Sequence, residues 1–325
     1  MNRLSATPLR APPPDGAMAS SSADTAGMDV ASEHIVRDAA SERIAELGED
    51  DANCIMVTLI TFNFGIMQDM LNPGPWNRKH EQKFVQVMET FSEKYCADLV
   101  LGCEVGGHMQ GMGEELRRNL PLPNIKTTLM QNYMTALNQK GVTTQLLRAP
   151  HVTQLAGTQA LETQLVLTAV QASQGTRRAG ITVIGNMCIR SPSAQHSPTI
   201  RTRLRLVREA LGTLEAYGNT VLDTVPASER PGVVLLLVGD CNLDAELAGQ
   251  AVDPSQHWVV KTTTAGLRGD LCFIKGCVAN HIDVPVGYSY KERGMRPDSR
   301  DALGLILALP VVSKDVRPRK MLRSN

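Results

Sequence analysis

The sequence predicts an α/β fold, because apolar segments with strand character alternate with amphipathic helical segments. The four clearest strand segments, each rich in Val, Ile or Leu, are residues 55–62, 98–103, 181–184 and 233–238. Apolar runs of this length, followed by Gly, Asn or Glu, are typical of strands buried inside a sheet. The chain has 325 residues, of which 42% are hydrophobic, so it is long enough for one large domain with an extensive core.

Two amphipathic helices are predicted between these strands. Residues 77–95 connect the first strand to the second, and residues 201–217 connect the third to the fourth. The apolar face of the first helix consists of Phe84, Val87, Met88, Phe91 and Tyr95. The second helix has Leu204, Val207, Leu211 and Leu214 on one face and Arg201, Arg205 and Arg208 on the other. The pattern is weaker from 106 to 180, where it predicts one strand over 164–171 and another over 127–137.

The two ends of the chain differ in composition from the middle. Residues 1–50 are rich in Ala, Ser, Pro and Gly, which predicts a largely disordered segment. Within it, a helix is predicted over 32–47, capped by Ser32 and ended by Gly48. Residues 53–310 are the predicted folded domain. Residues 311–325 are a basic tail, with five Lys or Arg residues against one Asp.

Charge and cysteine content narrow the setting. There are 33 basic and 33 acidic residues, and a net charge of zero does not favour nucleic acid as a partner. This composition does not exclude a local basic groove. The seven cysteines have no regular spacing, which predicts reduced thiols and an intracellular location, cytoplasmic or nuclear. No apolar stretch approaches the ~18 residues of a membrane helix, so no membrane partner is expected.

Polar side chains follow the four predicted strands. Asn63 follows the first, Glu104 the second and Asn186 the third, while Asp240 and Asn242 follow the fourth. Such positions, where the backbone leaves the core, hold a carboxylate or an amide rigidly at the rim of a cleft. An Asx turn explains Asp240 and Asn242 equally well when they are taken alone. Four such strand ends in succession predict a functional site.

The chain resembles the endonuclease/exonuclease/phosphatase superfamily, which includes nucleases of the DNase I type and inositol-polyphosphate phosphatases. The matching motifs are 61–63 (Thr-Phe-Asn), 101–105 (Leu-Gly-Cys-Glu-Val), 185–189 (Gly-Asn-Met-Cys-Ile), 239–242 (Gly-Asp-Cys-Asn), 269–274 (Gly-Asp-Leu-Cys-Phe-Ile) and 299–302 (Ser-Arg-Asp-Ala). Their order and spacing cover roughly residues 53–310. The resemblance implies a four-layer α/β/β/α sandwich of two packed mixed sheets, where periodicity alone predicts only α/β.

The resemblance also implies roles for the polar residues in hydrolysis of a phosphate ester. Glu104 would be the primary ligand of Mg²⁺ or Mn²⁺, with Asn63 next to it, since such ions take oxygen ligands and few carboxylates. Asp240 would orient and deprotonate the attacking water. Asn242 would hold the phosphate or fix that carboxylate, and Asn186 and Asp301 complete the implied catalytic set. A phosphate-containing molecule is the ligand that this chemistry suits.

Two departures from the family motifs concern histidines. The motif Asn-x-His is Asn186-Met187-Cys188 here, so Cys188 replaces the histidine. The motif Ser-Asp-His aligns in two registers. The preferred register reads 300–302 as Arg-Asp-Ala, which keeps Asp301 and places Ala302 at the histidine position; the other reads 298–300 as Asp-Ser-Arg. Arg300 is the one candidate for a substitute phosphate donor, since guanidinium binds phosphate strongly, and a solvated surface arginine is the alternative interpretation.

The sequence therefore leaves two functions open. Loss of one donor to the phosphoryl oxygens typically costs ~10²–10³ in rate, so loss of two predicts a catalytically degraded or strongly impaired phosphoesterase that keeps the fold and part of the metal and phosphate site. The alternative is an active metal-dependent phosphodiesterase or phosphatase with altered donors, which the retained Asn63, Glu104, Asp240 and Asn242 favour.

Overall fold

Two mixed β-sheets form the centre of the fold. The computed structural model describes residues 53–64, 78–105, 125–130, 133–155, 163–189, 199–224, 233–263, 270–289 and 299–312. Their strands are β1 (Cys54–Asn63), β2 (Leu99–Cys103), β3 (Ile125–Met130), β4 (Tyr133–Asn138), β5 (Thr143–Gln154), β6 (Gln164–Gln174), β7 (Arg177–Met187), β8 (Val234–Asp240), β9 (Val259–Thr262), β10 (Asp270–Lys275), β11 (Val278–Ser289) and β12 (Ser299–Pro310). The helices are α1 (Arg78–Glu89), extended by a π-helical turn (Thr90–Lys94), α2 (Ile200–Leu222) and α3 (Ala245–Gly249).

The strand order brings the ends of four strands into position for a site. One sheet has the order β11-β12-β1-β2-β4-β3, and the other has the order β5-β6-β7-β8-β10-β9. The pairs β1/β2 and β7/β8 are parallel, and all other neighbours are antiparallel. Each parallel pair is connected through a helix, α1 or α2. The carboxyl ends of β1 and β2 therefore meet at one edge of their sheet, as do those of β7 and β8.

Burial follows the alternation of side chains along each strand. In β1, Ile55, Val57 and Leu59 pack between the two sheets, against residues of β8, β10 and β12. Ile60 and Phe62, which point the other way, pack against α1. On the far side, α2 covers the second sheet. The order helix, sheet, sheet, helix is the four-layer sandwich implied by the sequence motifs, and this prediction is confirmed.

Most predicted elements agree with the structure. The strands at 55–62, 98–103, 164–171, 181–184 and 233–238 correspond to β1, β2, β6, β7 and β8, and the helices to α1 and α2. The single strand predicted over 127–137 is wrong, since β3 and β4 pair as an antiparallel hairpin there. The helix predicted over 32–47 and the basic tail from 313 onward lie outside the described residues. Among the helices that the structure describes, none is both long and apolar enough to cross a membrane.

Asp98 is a buried carboxyl that ties strands of both sheets together. Its Oδ2 accepts a hydrogen bond from the backbone N–H of Thr58 in β1 at 2.8 Å, and its carbonyl accepts from the hydroxyl of Thr144 in β5 at 3.0 Å. Burial raises the pKa of Asp98 to about 7, against the lowering effect of hydrogen bonds from Thr58 and Asn138. Ionisation of this carboxyl therefore lowers the free energy of unfolding.

We expect Asp98 to make the fold less stable as the pH rises towards neutrality. Because its pKa is higher in the folded chain, the stabilisation is complete below about pH 4 and is lost as the pH rises through about 7. The free energy of unfolding of the wild type should fall by roughly 2–4 kcal/mol over that range relative to Asp98→Asn. Urea unfolding of both proteins at several pH values measures this difference, and parallel curves would contradict it.

Candidate functional site at the junction of the two sheets

Asn63 and Asp240 connect the two sheets at the carboxyl ends of their strands. The side-chain Nδ2 of Asn63, the last residue of β1, donates to Oδ2 of Asp240, the last residue of β8, at 2.9 Å. Both side chains are buried, with 4% and 3% of their surface exposed. A buried amide–carboxylate hydrogen bond fixes the carboxylate in one orientation.

The segment that follows β8 holds Asp240 from the other side. The backbone N–H of Asn242 donates to Asp240 Oδ1 at 2.9 Å, and the side-chain Nδ2 of Asn242 donates to the carbonyl of Ile189 at 2.6 Å. Asn242 has a left-handed φ of 50°, which turns the chain back on itself. Its own carbonyl accepts from Nη1 of Arg203, a buried residue in the first turn of α2, at 2.6 Å. Asn242 therefore fixes the carboxylate through its backbone.

A further carboxylate, Asp270, lies beside this pair. It opens β10 and stands opposite Asp240 in the antiparallel ladder. Its Oδ2 accepts from the backbone N–H of Asn63 at 3.1 Å. Asp270 is 4% exposed. The ends of β1, β8 and β10 thus bring two buried carboxylates to a single asparagine.

Glu104, which follows β2, and Cys188, which follows β7, lie at the same junction of the two sheets as Asp240 and Asp270. Cys188 Sγ donates to Glu104 Oε1 at 3.3 Å. Glu104 Oε2 is buried and has no hydrogen-bond partner among the described residues. Glu104 also has a left-handed φ of 54°, a conformation that costs roughly 1–2 kcal/mol for a residue with a side chain. A strained backbone together with an unsatisfied buried carboxylate oxygen is a combination that is common at functional sites.

Asn186 and Tyr133 make further polar contacts between the sheets. Asn186 Nδ2 donates to the carbonyl of Gly102 at 3.1 Å, while Asn186 Oδ1 is buried without a hydrogen-bond partner among the described residues. The hydroxyl of Tyr133 accepts from the backbone N–H of Cys188 at 3.2 Å and donates to the carbonyl of Gln164 at 3.0 Å. Burial raises the pKa of this hydroxyl well above its usual value, so Tyr133 remains neutral.

The two cysteine thiols of the junction are also neutral. The hydrogen bond with Cys103 raises the pKa of Cys188 well above its usual value, and burial and the charges of Glu104 and Asp240 raise it further. For Cys103, the hydrogen bond with Cys188 lowers the pKa, but burial and three nearby carboxylates outweigh it and raise the pKa to about 11. These carboxylates are Asp270, Glu104 and Asp240. At neutral pH both residues are thiols, and neither supplies positive charge.

Ala302 in β12, which is the predicted position of the second histidine, does not face the junction. Ala302 is buried beside Phe62 and Val284 in the apolar cluster between the first sheet and α1, on the face opposite to the junction. A histidine at 302 would enter this apolar cluster. Arg300 and Asp301 belong to β12, but their side chains lie outside the described part of the structure.

A hard divalent cation at the junction would have Glu104 as its principal ligand. The buried Oε2 of Glu104 lacks a donor, and a cation would satisfy it. Asn63 lies close by in β1, which pairs with the strand before Glu104. Mg²⁺ typically takes one or two carboxylates and keeps several waters. Among the described residues, no three His, Cys, Asp or Glu side chains are arranged as a complete metal centre.

We expect a divalent cation to stabilise the fold through Glu104. A concentration of Mg²⁺ or Mn²⁺ about 10–100 times the dissociation constant stabilises by roughly 1.4–2.7 kcal/mol, which raises the melting temperature by about 3–8 °C. Glu104→Gln should remove this gain, whereas Glu93→Gln, at an exposed position in the π-helical turn, should keep it. Thermal melts with and without the ion test this, and an equal gain in the Glu104 variant would exclude Glu104 as the ligand.

Three residues of the junction had no assigned role in the sequence-based site. Asp270 is the first residue of one apolar strand and Asp240 is the last residue of another. This pattern could have identified Asp270 from the sequence. Arg203 shares the spacing of Val207, Ala210 and Leu214 on α2, so its burial could have been predicted from the helical face. Tyr133 had no local signal, because its contacts with Cys188 and Gln164 are distant in sequence.

Several solved structures have a similar fold. TDP2 from C. elegans has 15% identity and a TM-score of 0.48, over 83% of this chain and 80% of that one. The human Nocturnin catalytic domain has 13% identity and a TM-score of 0.49, over 78% and 94%. An endonuclease/exonuclease/phosphatase from Bacteroides vulgatus has 13% identity and a TM-score of 0.49, over 78% and 99%.

The third of these carries the name of the class that the sequence motifs resemble. No protein-family model matches this chain, and no curated protein sequence does. Identities this low transfer no activity, substrate or partner to the chain. The two six-stranded sheets, their strand order and the flanking helices establish the fold independently of these similarities.

Proposed function

We propose that this chain is a strongly impaired member of the Mg²⁺-dependent phosphoesterase superfamily, a pseudoenzyme that keeps the fold and half of the site. The observation that carries this proposal is the contact between Cys188 and Glu104. At the position where a histidine would donate to a phosphoryl oxygen, a neutral thiol donates instead to the carboxylate that would hold the metal. The Cys188 thiol therefore donates to a side chain of the protein, whereas phosphoryl transfer needs a donor that is directed towards the substrate.

The retained half of the site is the part that would orient a water molecule. Asn63 and the Asn242 backbone fix both oxygens of Asp240, and the carboxylate of Glu104 is available to a cation. Hydrolysis of a phosphate ester also requires stabilisation of the negative charge that grows on the phosphoryl oxygens. Cys188 is uncharged, and Ala302 faces an apolar cluster, so neither position supplies that stabilisation.

The same retained contacts support a second candidate, an active phosphodiesterase or phosphatase with a different donor. Asn63 and Asn242 hold the carboxylate of Asp240 in one orientation, as a catalytic base requires. In that case Arg300, at the start of β12, is the residue that replaces the lost histidines.

The ligand that the site suits is a phosphate-containing molecule with Mg²⁺ or Mn²⁺ held by Glu104 and Asn63. These ions bind protein oxygen ligands and phosphate oxygens at the same time. An intracellular location accompanies this proposal, and the seven free cysteines support it.

The proposal is tested by hydrolysis of bis-p-nitrophenyl phosphate by the purified protein, with and without Mg²⁺ or Mn²⁺. We expect no metal-dependent release of p-nitrophenol above the buffer rate. A metal-dependent rate that Arg300→Ala abolishes would establish the second candidate in its place.

A further inference from the structure

Helix α2 has an exposed stripe on the side that faces away from the second sheet. Its residues recur every three or four positions, a spacing that places them on one side of a helix. They are Arg201, Arg205, Arg208, Gly212, Ala216 and Asn219, and all six are exposed. The opposite side of α2, which includes Leu206 and Leu214, is buried against the second sheet. The stripe is therefore the outer face of α2.

The first half of the stripe is positively charged and makes few contacts within the chain. Arg201 and Arg205 form no hydrogen bond or ion pair with any residue that the structure describes. Arg208 donates to the carbonyl of Gln250 at 2.7 Å. Arg201 lies in the first turn of α2, where the helix dipole disfavours a positive charge and no acidic residue offsets it. The fold itself therefore gives no reason for this row of arginines.

The second half of the stripe is small and uncharged. Gly212 lies in the middle of α2, where glycine destabilises a helix relative to alanine. A Cβ at this position would meet no atom within 4 Å, so no contact inside the chain requires the glycine. Ala216 and Asn219 extend the same low surface towards the end of the helix. Small residues at a contact let a second helix approach closely, because the distance between packed helices depends on these side chains.

We propose that the outer stripe of α2 is a docking surface for an acidic α-helix of a partner protein. Carboxylates three or four residues apart on that helix would pair with Arg201, Arg205 and Arg208, while its small residues would lie over Gly212. Locally unfavourable residues are expected at functional positions, and this one stripe has both unpaired arginines and an unneeded glycine. The surface goes beyond the proposed function, because it lies outside the junction and involves neither metal nor phosphate.

The composition of the stripe favours a protein helix over nucleic acid. A nucleic acid is bound through a series of basic contacts to its phosphates, but no Lys or Arg follows Arg208 in α2. Ile200, next to Arg201, exposes 50% of its surface. An apolar side chain of a partner protein can cover this residue, whereas a phosphate backbone gains little from it. The partner is therefore expected to combine carboxylates with apolar side chains.

The test measures binding of a labelled, about 20-residue helical peptide to the full chain by fluorescence anisotropy. The peptide consists of alanine, with glutamate repeated at spacings of three and four residues. Binding should be saturable and should weaken as salt is added. Arg201→Gln combined with Arg205→Gln should weaken it by about 2–30-fold. Gly212→Leu should fold normally, because its side chain enters open space, and should weaken binding by about tenfold or more.

Lys140→Gln combined with Arg178→Gln is the matched control. Both residues are exposed and belong to other elements, the turn before β5 and the strand β7, so this variant should bind like the wild type. No binding of the peptide, or wild-type binding by a folded Gly212→Leu protein, would overturn the proposal. Equally tight binding of a single-stranded oligo(dT) of the same charge, lost in the same arginine variant, would also overturn it and identify a nucleic-acid surface. Hydrolysis assays do not affect these outcomes, so a failure of the proposed function is seen separately.

Discussion

Cys188→His should raise metal-dependent hydrolysis of bis-p-nitrophenyl phosphate by about 10²-fold or more over the wild type. A histidine at 188 would remove the thiol that donates to Glu104 and place an imidazole N–H at the junction. One well-placed donor to a transition-state oxyanion is worth ~10²–10³ in rate. Initial rates with saturating Mg²⁺, measured on protein shown to be folded, give the comparison.

Two further variants decide what such a gain means. Cys188→His combined with Asp240→Asn should lose the gain, because the carboxylate held by Asn63 and Asn242 would no longer act as the base. Ala302→His should give no gain and should lower the stability, because position 302 faces the apolar cluster beside α1. A folded Cys188→His protein without any gain would show that the junction no longer accommodates phosphoryl chemistry.

Gly239→Ala should destabilise the fold severely, by about 4 kcal/mol or more. Gly239 precedes Asp240 and has a φ of 127°, which side chains rarely allow. A Cβ at this position would lie 1.9 Å from the carbonyl oxygen of Met187, so β7 and β8 would have to separate where the site is built. Chemical unfolding of the variant, or its failure to fold, measures the effect.

Gly212→Ala is the matched control for this prediction. Gly212 lies in the middle of α2, and a Cβ there would meet no atom within 4 Å. Alanine should therefore stabilise the protein, by up to about 1 kcal/mol, through its higher helix propensity. A Gly239 variant that unfolded at the same denaturant concentration as the wild type would mean that the close approach of β7 and β8 is not required.

The sequence predicts the scaffold well, because the signals for it are local. The runs that became β1, β2, β7 and β8 are strongly apolar, and each is followed by a polar residue whose position is set by where the strand ends. Asn63 and Asp240 could therefore be expected at one edge of the sheets before any contact was known. Their hydrogen bond, which joins residues 177 positions apart, depends on how the sheets pack.

The less predictable features depend on register and on long-range partners. Which residue of β12 stands at the histidine position depends on the register of the motif around Arg300, and the sequence allows two registers that differ by two residues. The pairing of Cys103 with Cys188 arises only when the two sheets pack together. Similarly, the hydrogen bond from Arg203 to the carbonyl of Asn242, 39 positions away, forms only when α2 packs beside the end of β8.

The metal-dependent hydrolysis rate of the wild type, divided by that of Asp240→Asn, measures whether the site is impaired. An impaired site that holds its carboxylates without phosphate donors predicts a ratio close to one for bis-p-nitrophenyl phosphate in Mg²⁺ or Mn²⁺. A wild-type rate far above that of Asp240→Asn, with both proteins equally folded, would contradict the account and establish this chain as an active phosphoesterase.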